Sequence, residues 1–169
     1  MVHRHRVGLI ARVDGAPMSD LHDDESLART ERAIDGWLAA FAAASPAVRA
    51  VDRDTETSRW FVRLAGEAKD FTTVWLTLGQ RTVRYETYVM PAPEDNEQQV
   101  ADLLLRRNNV LVGCHFSVGD EDAIYLRGEL PDVAVDEDEL DRVLGTLYSA
   151  VEANFRPLLR LGFASRFVR

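Results

Sequence analysis

Cysteine is almost absent from this chain: Cys114 is the only one among 169 residues. Disulfides within the chain, C-x-x-C redox motifs and cysteine-rich zinc sites are therefore excluded. A single free thiol is typical of proteins in a reducing compartment, so we expect a cytoplasmic protein. A domain of this length buries roughly 70% of the surface that its unfolded chain exposes, and it can be stable without a disulfide or a metal.

Long apolar runs are also missing. The only early apolar patch is VGLIA, residues 7–11, which is shorter than the core of a secretory signal, about 7–15 residues, and than a membrane-spanning helix, about 18. Lysine is nearly absent, with Lys69 the only one, a bias that we attribute to a GC-rich genome. The net charge of −8 argues against nucleic acid or an anionic membrane as a main partner.

Motifs that mark catalytic and cofactor sites are absent as well. The chain contains no glycine-rich phosphate loop, no G-x-S-x-G and no H-E-x-x-H. The acidic segments GDED, residues 119–122, and DVAVDEDELD, residues 132–141, lack the donor spacing of a calcium loop. We therefore predict a non-enzymatic protein and assign no catalytic residue, no cofactor and no metal ligand.

The stretch VGCHFSVGDED, residues 112–122, places the only cysteine beside a histidine. Neighbouring side chains of a strand point to opposite faces, so Cys114 and His115 cannot act there as a nucleophile and its base. The residues that share the face of Cys114 are Val112, Phe116 and Val118. On such a face a free cysteine is usually a small buried hydrophobe.

The first part of the chain divides into an arm and a helix. Residues 1–24 have no sustained periodicity and are predicted to be an N-terminal arm, with Met18 an alternative start that would make the preceding segment an extension. Residues 25–169 are predicted to form a single domain. Helical spacing of apolar residues begins near Ser26 and ends at Ser45-Pro46, because proline disfavours the helical conformation of the residue before it. These residues are Leu27, Ile34, Trp37, Leu38 and Phe41.

The hydrophobic period then changes to two. It predicts strands over residues 48–53, 58–64, 71–78 and 82–90, with links short enough to favour antiparallel pairing. A second helix follows, with Asp95 and Gln98 at capping-box spacing and Asn108-Asn109 as its stop. The apolar side of that helix is Val100, Leu103, Leu104 and Leu105. Two further strands, residues 110–118 and 123–130, form a hairpin.

The last helix has the strongest local pattern. Asp136 and Glu139 form a capping box, and Val135 and Leu140 have the spacing of a hydrophobic staple. Pro157 is expected to kink or restart the helix, and Gly162 to close it. One continuous stripe consists of Leu140, Val143, Leu144, Leu147, Tyr148, Val151 and Phe155.

Arginines and tyrosines alternate with apolar residues along several of the predicted strands. If their faces coincide, the result is either a solvated face with cross-strand ion pairs or a docking surface, because arginine and tyrosine are enriched at protein interfaces. Under the second interpretation the partner-binding residues are Arg63, Arg84, Tyr88, Tyr125 and Arg127.

The predicted strand FTTVWLTL, residues 71–78, carries large apolar side chains on both faces. Phe71 and Trp75 lie on one face, and Val74, Leu76 and Leu78 lie on the other. Such a strand is expected to be covered on both sides. The cover is either a helix of the same chain or a second subunit, which favours a homodimer.

The stretch LLLRRNNVLVGCHFSVGDEDAIYLRGELPDVAVDEDELDRVLGTL, residues 103–147, resembles the YbjN family. The resemblance consists of a helix ending in leucine, arginine and asparagine, then G-x-x-F, a hairpin, L-R-x-E-L-P and an acidic helix cap. TVWLTLGQRTVRYETYVMP, residues 73–91, also looks like that family. Together the resemblance covers roughly residues 26–163.

This resemblance implies a fold and a mode of action. The family is described as bacterial sensory-transduction regulators, and its fold is similar to that of type III secretion chaperones. That α+β fold packs three helices with a small antiparallel sheet, in the order α-β-β-β-α-β-β-α. Chaperones of this fold generally work as homodimers that hold extended segments of partner proteins. The resemblance therefore implies a binding module and assigns no catalytic residue, and fold alone does not establish function.

Three functions remain open on the sequence. The favoured one is a non-enzymatic protein-binding module, chaperone-like or regulatory, because catalytic motifs are missing. The second is a small-molecule sensor or enzyme whose site is assembled from distant residues, namely Arg63, Arg84, His115 and Arg127. The third is a structural subunit of a larger assembly with a permanent partner.

Overall fold

Residues 24–168 are described by a computed structural model. Its first half consists of α1 (Asp24–Ala44), β1 (Val48–Asp54), β2 (Arg59–Ala65), β3 (Phe71–Leu78) and β4 (Thr82–Met90). The predicted helix and all four predicted strands are therefore confirmed. The predicted arm lies outside the described residues, apart from Asp24, which begins α1.

The second half completes an antiparallel sheet of six strands. Its elements are α2 (Glu97–Asn108), β5 (His115–Val118), β6 (Ile124–Pro131), a 3-10 turn at Asp132–Ala134, α3 (Glu137–Gly162) and the short α4 (Ala164–Phe167). The strand order is β1-β2-β3-β4-β6-β5, and every pair is antiparallel. The predicted α+β class with a type III secretion chaperone-like order is confirmed, with β1 and α4 added to it.

The core lies between one face of this sheet and the helices. Along β3, Thr72, Val74 and Leu76 are fully buried, while the residues between them are not. Helix α1 contributes Ile34 and Leu38 to this core. Helix α3 packs against β3 and β4. The inward-facing residues of these strands, at every second position, therefore contact the apolar stripe of the helix on one face of the sheet.

Helix α3 begins as the sequence predicts. The Asp136 carboxylate accepts a hydrogen bond of 2.8 Å from the backbone N–H of Glu139, and Leu140 is buried. The helix continues through Pro157 to Gly162, so Pro157 does not restart it, and Gly162 ends it as expected.

The predicted end of α2 at Asn108-Asn109 is confirmed, but the predicted cap at its start is wrong. The residue before the helix is Asn96, in the left-handed conformation at φ 54, and no side chain caps the first turn. Asp95 instead accepts hydrogen bonds of 2.8 and 2.7 Å from the backbone N–H and hydroxyl of Ser165. At the other end, Asn108 is the last helical residue, and Asn109 follows it in the right-handed conformation, at φ −64, instead of the left-handed one. Leu105, which the sequence placed on the apolar side of α2, is 70% exposed.

The strand predicted over residues 110–118 is shorter than expected, because β5 begins only at His115. The side-chain amide of Asn108 binds both backbone groups of Phe116, accepting from its N–H at 2.6 Å and donating to its carbonyl at 3.1 Å. Asn108 thus takes the place of a neighbouring strand on the outer edge of β5. Gly113, at φ 76, provides a conformation that L side chains rarely adopt.

Glu152 of α3 fixes the loop that joins β2 to β3. Its carboxylate accepts hydrogen bonds from the backbone N–H groups of Glu67, Ala68 and Lys69, at 2.8, 2.7 and 3.3 Å. Partial burial raises the pKa of Glu152, but these bonds, with Arg156 nearby, bring the pKa below its ordinary value. The charged carboxylate is therefore the form that the folded state favours.

Replacement of Glu152 should destabilise the protein. We expect E152A to lower the free energy of unfolding by about 1–3 kcal/mol near neutral pH, because it leaves the loop N–H groups without their charged acceptor. E152Q keeps one acceptor oxygen and should cost less. Denaturant titration of the wild type and both variants would measure the difference.

The same interaction fixes the direction of a pH effect. A folded-state pKa below the unfolded one gives stability that is complete above the unfolded value, about pH 4.3, and lost as the pH falls through the folded value. The gap in stability between wild type and E152Q should therefore close in acid. A gap of constant size down to low pH would contradict this account of the loop.

Candidate partner-binding surface

The second face of the sheet is left open by the helices. No helix among residues 24–168 buries it: on β3, Phe71 is 43% exposed, and Thr73, Trp75 and Thr77 are half-buried. The sequence predicted two-sided cover for β3, and the described chain supplies cover on one side. The side chains of this open face alternate with the core residues because successive residues of a strand point to opposite faces.

Strand pairing brings most of the predicted partner-binding residues together. Strand β4 lies beside β6, which places Arg84 opposite Glu129 and Tyr88 opposite Tyr125. Arg127 lies opposite Glu86 in the same pair of strands. Arg63 is on the same face but on β2, separated from the others by β3.

Ion pairs join β4 to β6 on this face. Arg127 Nε donates to Glu86 Oε2 at 2.7 Å, with both side chains more than a third exposed. Arg84 lies 3.6 Å from Glu129, and its side chain is 78% exposed. Exposed pairs of this kind contribute about 0–1 kcal/mol each. They orient the guanidinium groups, and a partner carboxylate can replace them at little cost in free energy.

Aromatic rings lie directly beside these arginines. The ring of Tyr125 lies 5.6 Å from that of Tyr88, edge to face, and 6.4 Å from that of Trp75. The Arg127 guanidinium is 4.5 Å from the Tyr125 ring centroid. On β2, Arg63 lies 4.1 Å over the ring of Phe71. We call the set formed by Arg63, Phe71, Trp75, Arg84, Glu86, Tyr88, Tyr125, Arg127 and Glu129 the open-face surface.

A concavity of about 720 Å³ lies at one end of the open face. Its charged and polar lining includes Arg59, Arg84, Glu86, His115, Arg127 and Glu129. Three of the four residues predicted for a small-molecule site, namely Arg84, His115 and Arg127, line it together, and Arg63 does not. Arg59 was missing from that prediction. Because Trp60 and Val62 point into the core, Arg59 points to the open face.

The structure separates Cys114 from His115, as the sequence analysis expected. Cys114 is 7% exposed and belongs to the core, whereas His115 is exposed on the open face. Burial raises the pKa of the Cys114 thiol, and the Arg142 guanidinium offsets part of that rise. The two valines are not buried with it: Val112 lies before β5 and is 77% exposed, and Val118 ends the strand and is 56% exposed.

The described part of the chain holds no candidate metal cluster and no candidate membrane span. Between residues 24 and 168, no three or more histidine, cysteine, aspartate or glutamate side chains are grouped so that they could hold a metal ion. None of the helices in that range is long and apolar enough to cross a membrane.

Comparison with known proteins finds a family and a fold. The model of the YbjN family, with the description "Putative bacterial sensory transduction regulator", matches residues 32–160. Uncharacterized proteins of Mycobacterium tuberculosis and Mycobacterium bovis are each 41% identical over 108 residues, which is 64% of this chain and 59% of theirs. One of Mycobacterium leprae is 39% identical over 107 residues. The matches thus span less than two thirds of these relatives.

Two solved structures have a similar fold at low sequence identity. The HopA1-SchA chaperone-effector complex has a TM-score of 0.56 at 10% identity, covering 79% of this chain and 98% of the other. The ExsC-ExsE complex has a TM-score of 0.54 at 18% identity, covering 78% and 95%. Likeness at these identities concerns the fold alone, and it agrees with the predicted chaperone-like architecture.

The buried thiol should react slowly in the folded protein. We expect Cys114 to react with a disulfide reagent at least about tenfold more slowly than the exposed thiol of the control variant R32C, because burial hinders access and disfavours the thiolate. Denaturant should remove the difference. Equal rates for the two thiols under native conditions would mean that the loop before β5 opens readily.

Proposed function

The chain belongs to the YbjN family, and from this premise we propose that it is a non-enzymatic protein-binding module, chaperone-like or regulatory, that binds its partner on the open-face surface. The observation that carries the proposal is the aromatic and arginine side chains left uncovered on one whole face of the sheet. Burial of apolar groups such as Trp75 and Phe71 against a partner lowers the free energy of the complex.

The composition of the surface supports a protein as its occupant. Arginine, tyrosine and tryptophan are the residues that most often dominate the energy of protein interfaces. Among residues 24–168, Arg63 has no carboxylate partner and stacks on Phe71. The bound segment is therefore expected to carry apolar side chains together with a few carboxylates, which can pair with Arg63, Arg84 and Arg127.

The solved complexes lend support at the level of the fold. HopA1-SchA is a chaperone-effector complex, and ExsC-ExsE is a complex of two proteins. Both illustrate that this fold can present a surface to a protein partner. The surface used by this chain is argued from its own residues.

Charge reversal should separate partner binding from folding. We expect R84E and R127E each to weaken partner binding at least about tenfold, equivalent to ~1.4 kcal/mol, because each replaces a cation by a carboxylate on the open-face surface. The matched control R32E makes the same change on an exposed position of α1 and should bind normally. Capture of the partner from lysate at low and high salt, followed by a binding titration, would measure this.

Two results would contradict the assignment. Folded R84E and R127E that capture the partner as well as the wild type would remove the open-face surface from the interface. Loss of capture in R32E as well would indicate a general charge effect. Circular dichroism is needed for both variants, since the new carboxylates would lie opposite Glu129 in R84E and opposite Glu86 in R127E.

A small-molecule sensor is the second candidate function, favoured by the concavity lined by Arg59, Arg84, Arg127 and His115. Its lining holds three arginines against the two carboxylates of Glu86 and Glu129, and the excess of one cation suits an anionic ligand. Absence of any captured protein, together with a rise in melting temperature on addition of inorganic phosphate or a dicarboxylate, would favour this candidate over the first.

We also propose that the protein is a homodimer. The expectation comes from the chaperone-like fold and from the apolar side chains on both faces of β3. A dimer that leaves the open-face surface free for a partner requires a separate surface. Apolar side chains are exposed at the end of α2 and in the loop after it, where Leu105 is 70%, Val110 69% and Val112 77% exposed. Burial of these residues between two copies would remove apolar area from water without covering the open face.

A single substitution on α2 tests the dimer. L105D should convert the dimer to a monomer in light scattering, with little effect on stability, because Leu105 lies outside the core. The control Q99D adds the same charge on an exposed position of the same helix, roughly 120° around it from Leu105, and should remain dimeric. A wild type that is monomeric at all concentrations, or a dimeric L105D, would overturn this assignment while leaving the partner surface intact.

A further inference from the structure

Arg49 and Arg63 differ from the other arginines of the sheet strands. Each of the others is held by an ion pair or a hydrogen bond to another side chain; they are Arg53, Arg59, Arg84 and Arg127. In the described part of the chain, the side chains of Arg49 and Arg63 form no ion pair and no hydrogen bond. Two guanidinium groups with unused donors therefore lie on β1 and β2.

A β-bulge brings Arg49 beside Arg63. The register between β1 and β2 shifts between Val48 and Ala50, so Arg49 is an extra residue with no partner opposite it on β2. Ala50 pairs with Arg63, whose side chain lies on the open face. A bulge at a sheet edge bends the strand and redirects a side chain. Arg49 lines the same concavity as Arg63 for this reason.

This second concavity has a volume of about 760 Å³. It lies at the end of β2, whereas the concavity of about 720 Å³ lies at the start of that strand, and the two share no lining residue. The ionisable side chains of its lining are Arg49, Arg63 and Asp70, and the apolar ones are Ala50, Ala65 and Phe71. The second concavity is therefore distinct from the one that favours the small-molecule sensor.

The walls of the second concavity are fixed by contacts within the chain. The loop between β2 and β3 forms one wall, where the Gly66 N–H donates to the Asp70 carbonyl at 3.1 Å and Glu152 binds the loop backbone. The Arg63 guanidinium lies 4.1 Å from the Phe71 ring centroid. The ring covers one flat face of the guanidinium and leaves the N–H groups at its edge to donate. A ligand therefore binds here without the cost of ordering a loop.

The charges of this concavity specify the charges of its ligand. Each guanidinium matches a carboxylate, which accepts two parallel hydrogen bonds from it. Asp70 forms no ion pair within residues 24–168, so its carboxylate is available to an ammonium group. Arg49 on β1 and Asp70 before β3 are separated by β2, which puts their backbones roughly 10 Å apart. Their side chains and a small amino acid together span that distance.

We propose that this corner of the open face binds a small amino dicarboxylate, a compound with two carboxylates and one ammonium group such as glutamate. Its carboxylates pair with Arg49 and Arg63, and its ammonium group pairs with Asp70. The site has one excess positive charge, and the compound has one excess negative charge. This site goes beyond the proposed partner binding and does not require it. An occupied site engages Arg63, a residue of the open-face surface, and so withdraws it from a protein partner.

Calorimetric titration of the full chain with L-glutamate and with glutarate tests the site. Glutarate has the same carbon chain and both carboxylates but lacks the ammonium group. We expect glutamate to bind at least about tenfold more tightly than glutarate, equivalent to ~1.4 kcal/mol, because only glutamate pairs with Asp70. In D70N this preference should disappear through weaker binding of glutamate.

Replacement of either arginine should weaken the binding of both compounds. We expect R49Q and R63Q each to lower the affinity for glutamate at least about tenfold. Their circular dichroism should stay unchanged, since neither side chain has a polar partner to lose. The control R32Q removes the same charge from an exposed position of α1 and should bind glutamate as the wild type does.

Any of four results would overturn the proposal. The first is a wild type that binds no glutamate up to about 10 mM, and the second is equal affinity of the wild type for glutamate and glutarate. The third is weaker binding in R32Q as well, which would indicate a general charge effect. The fourth is loss of binding in R84Q with normal binding in R49Q, which would place the compound in the concavity of about 720 Å³.

Discussion

The helices that close the core of this protein pack on one face of a six-stranded sheet, and the other features depend on this one-sided cover. Because strand side chains alternate, each core residue is followed by one that points away from the helices. Where Val74 and Leu76 fill the core, Trp75 between them must lie on the open face. The same alternation places Phe61 of β2 between buried Trp60 and Val62, and Tyr125 of β6 between buried Ile124 and Leu126.

The sequence was sufficient for elements whose signals are local. Strands predicted over residues 71–78 and 82–90 coincide with β3 and β4, because a period of two is visible within eight residues. The Asp136 cap is likewise local, since donor and acceptor are three residues apart. The prediction was wrong over residues 110–114, where the apolar pattern continues but Asn108 takes the place of a neighbouring strand beside Phe116.

The interactions that the sequence could not predict join distant segments. Asp95 reads as a helix cap, but its carboxylate binds Ser165, 70 positions away. Glu152 reads as a solvated residue of α3, yet it organises a loop more than 80 positions earlier. For the site, alternation placed Arg84 and Arg127 on strand faces correctly. Their closeness depends on β4 pairing with β6, and nothing local in the sequence encodes that pairing.

The ion-pair and docking interpretations of the open face are compatible in energy. A half-exposed pair such as Arg127 with Glu86 contributes about 0–1 kcal/mol, so exchanging Glu86 for a partner carboxylate costs little. Exchange of one ion pair for another adds little affinity, and burial of the aromatic residues supplies the favourable free energy of binding. A chain with net charge −8 repels a strongly acidic partner at long range. The surface therefore favours a largely apolar segment with a few acids, because only short-range contacts with individual arginines can then outweigh the field of the whole protein.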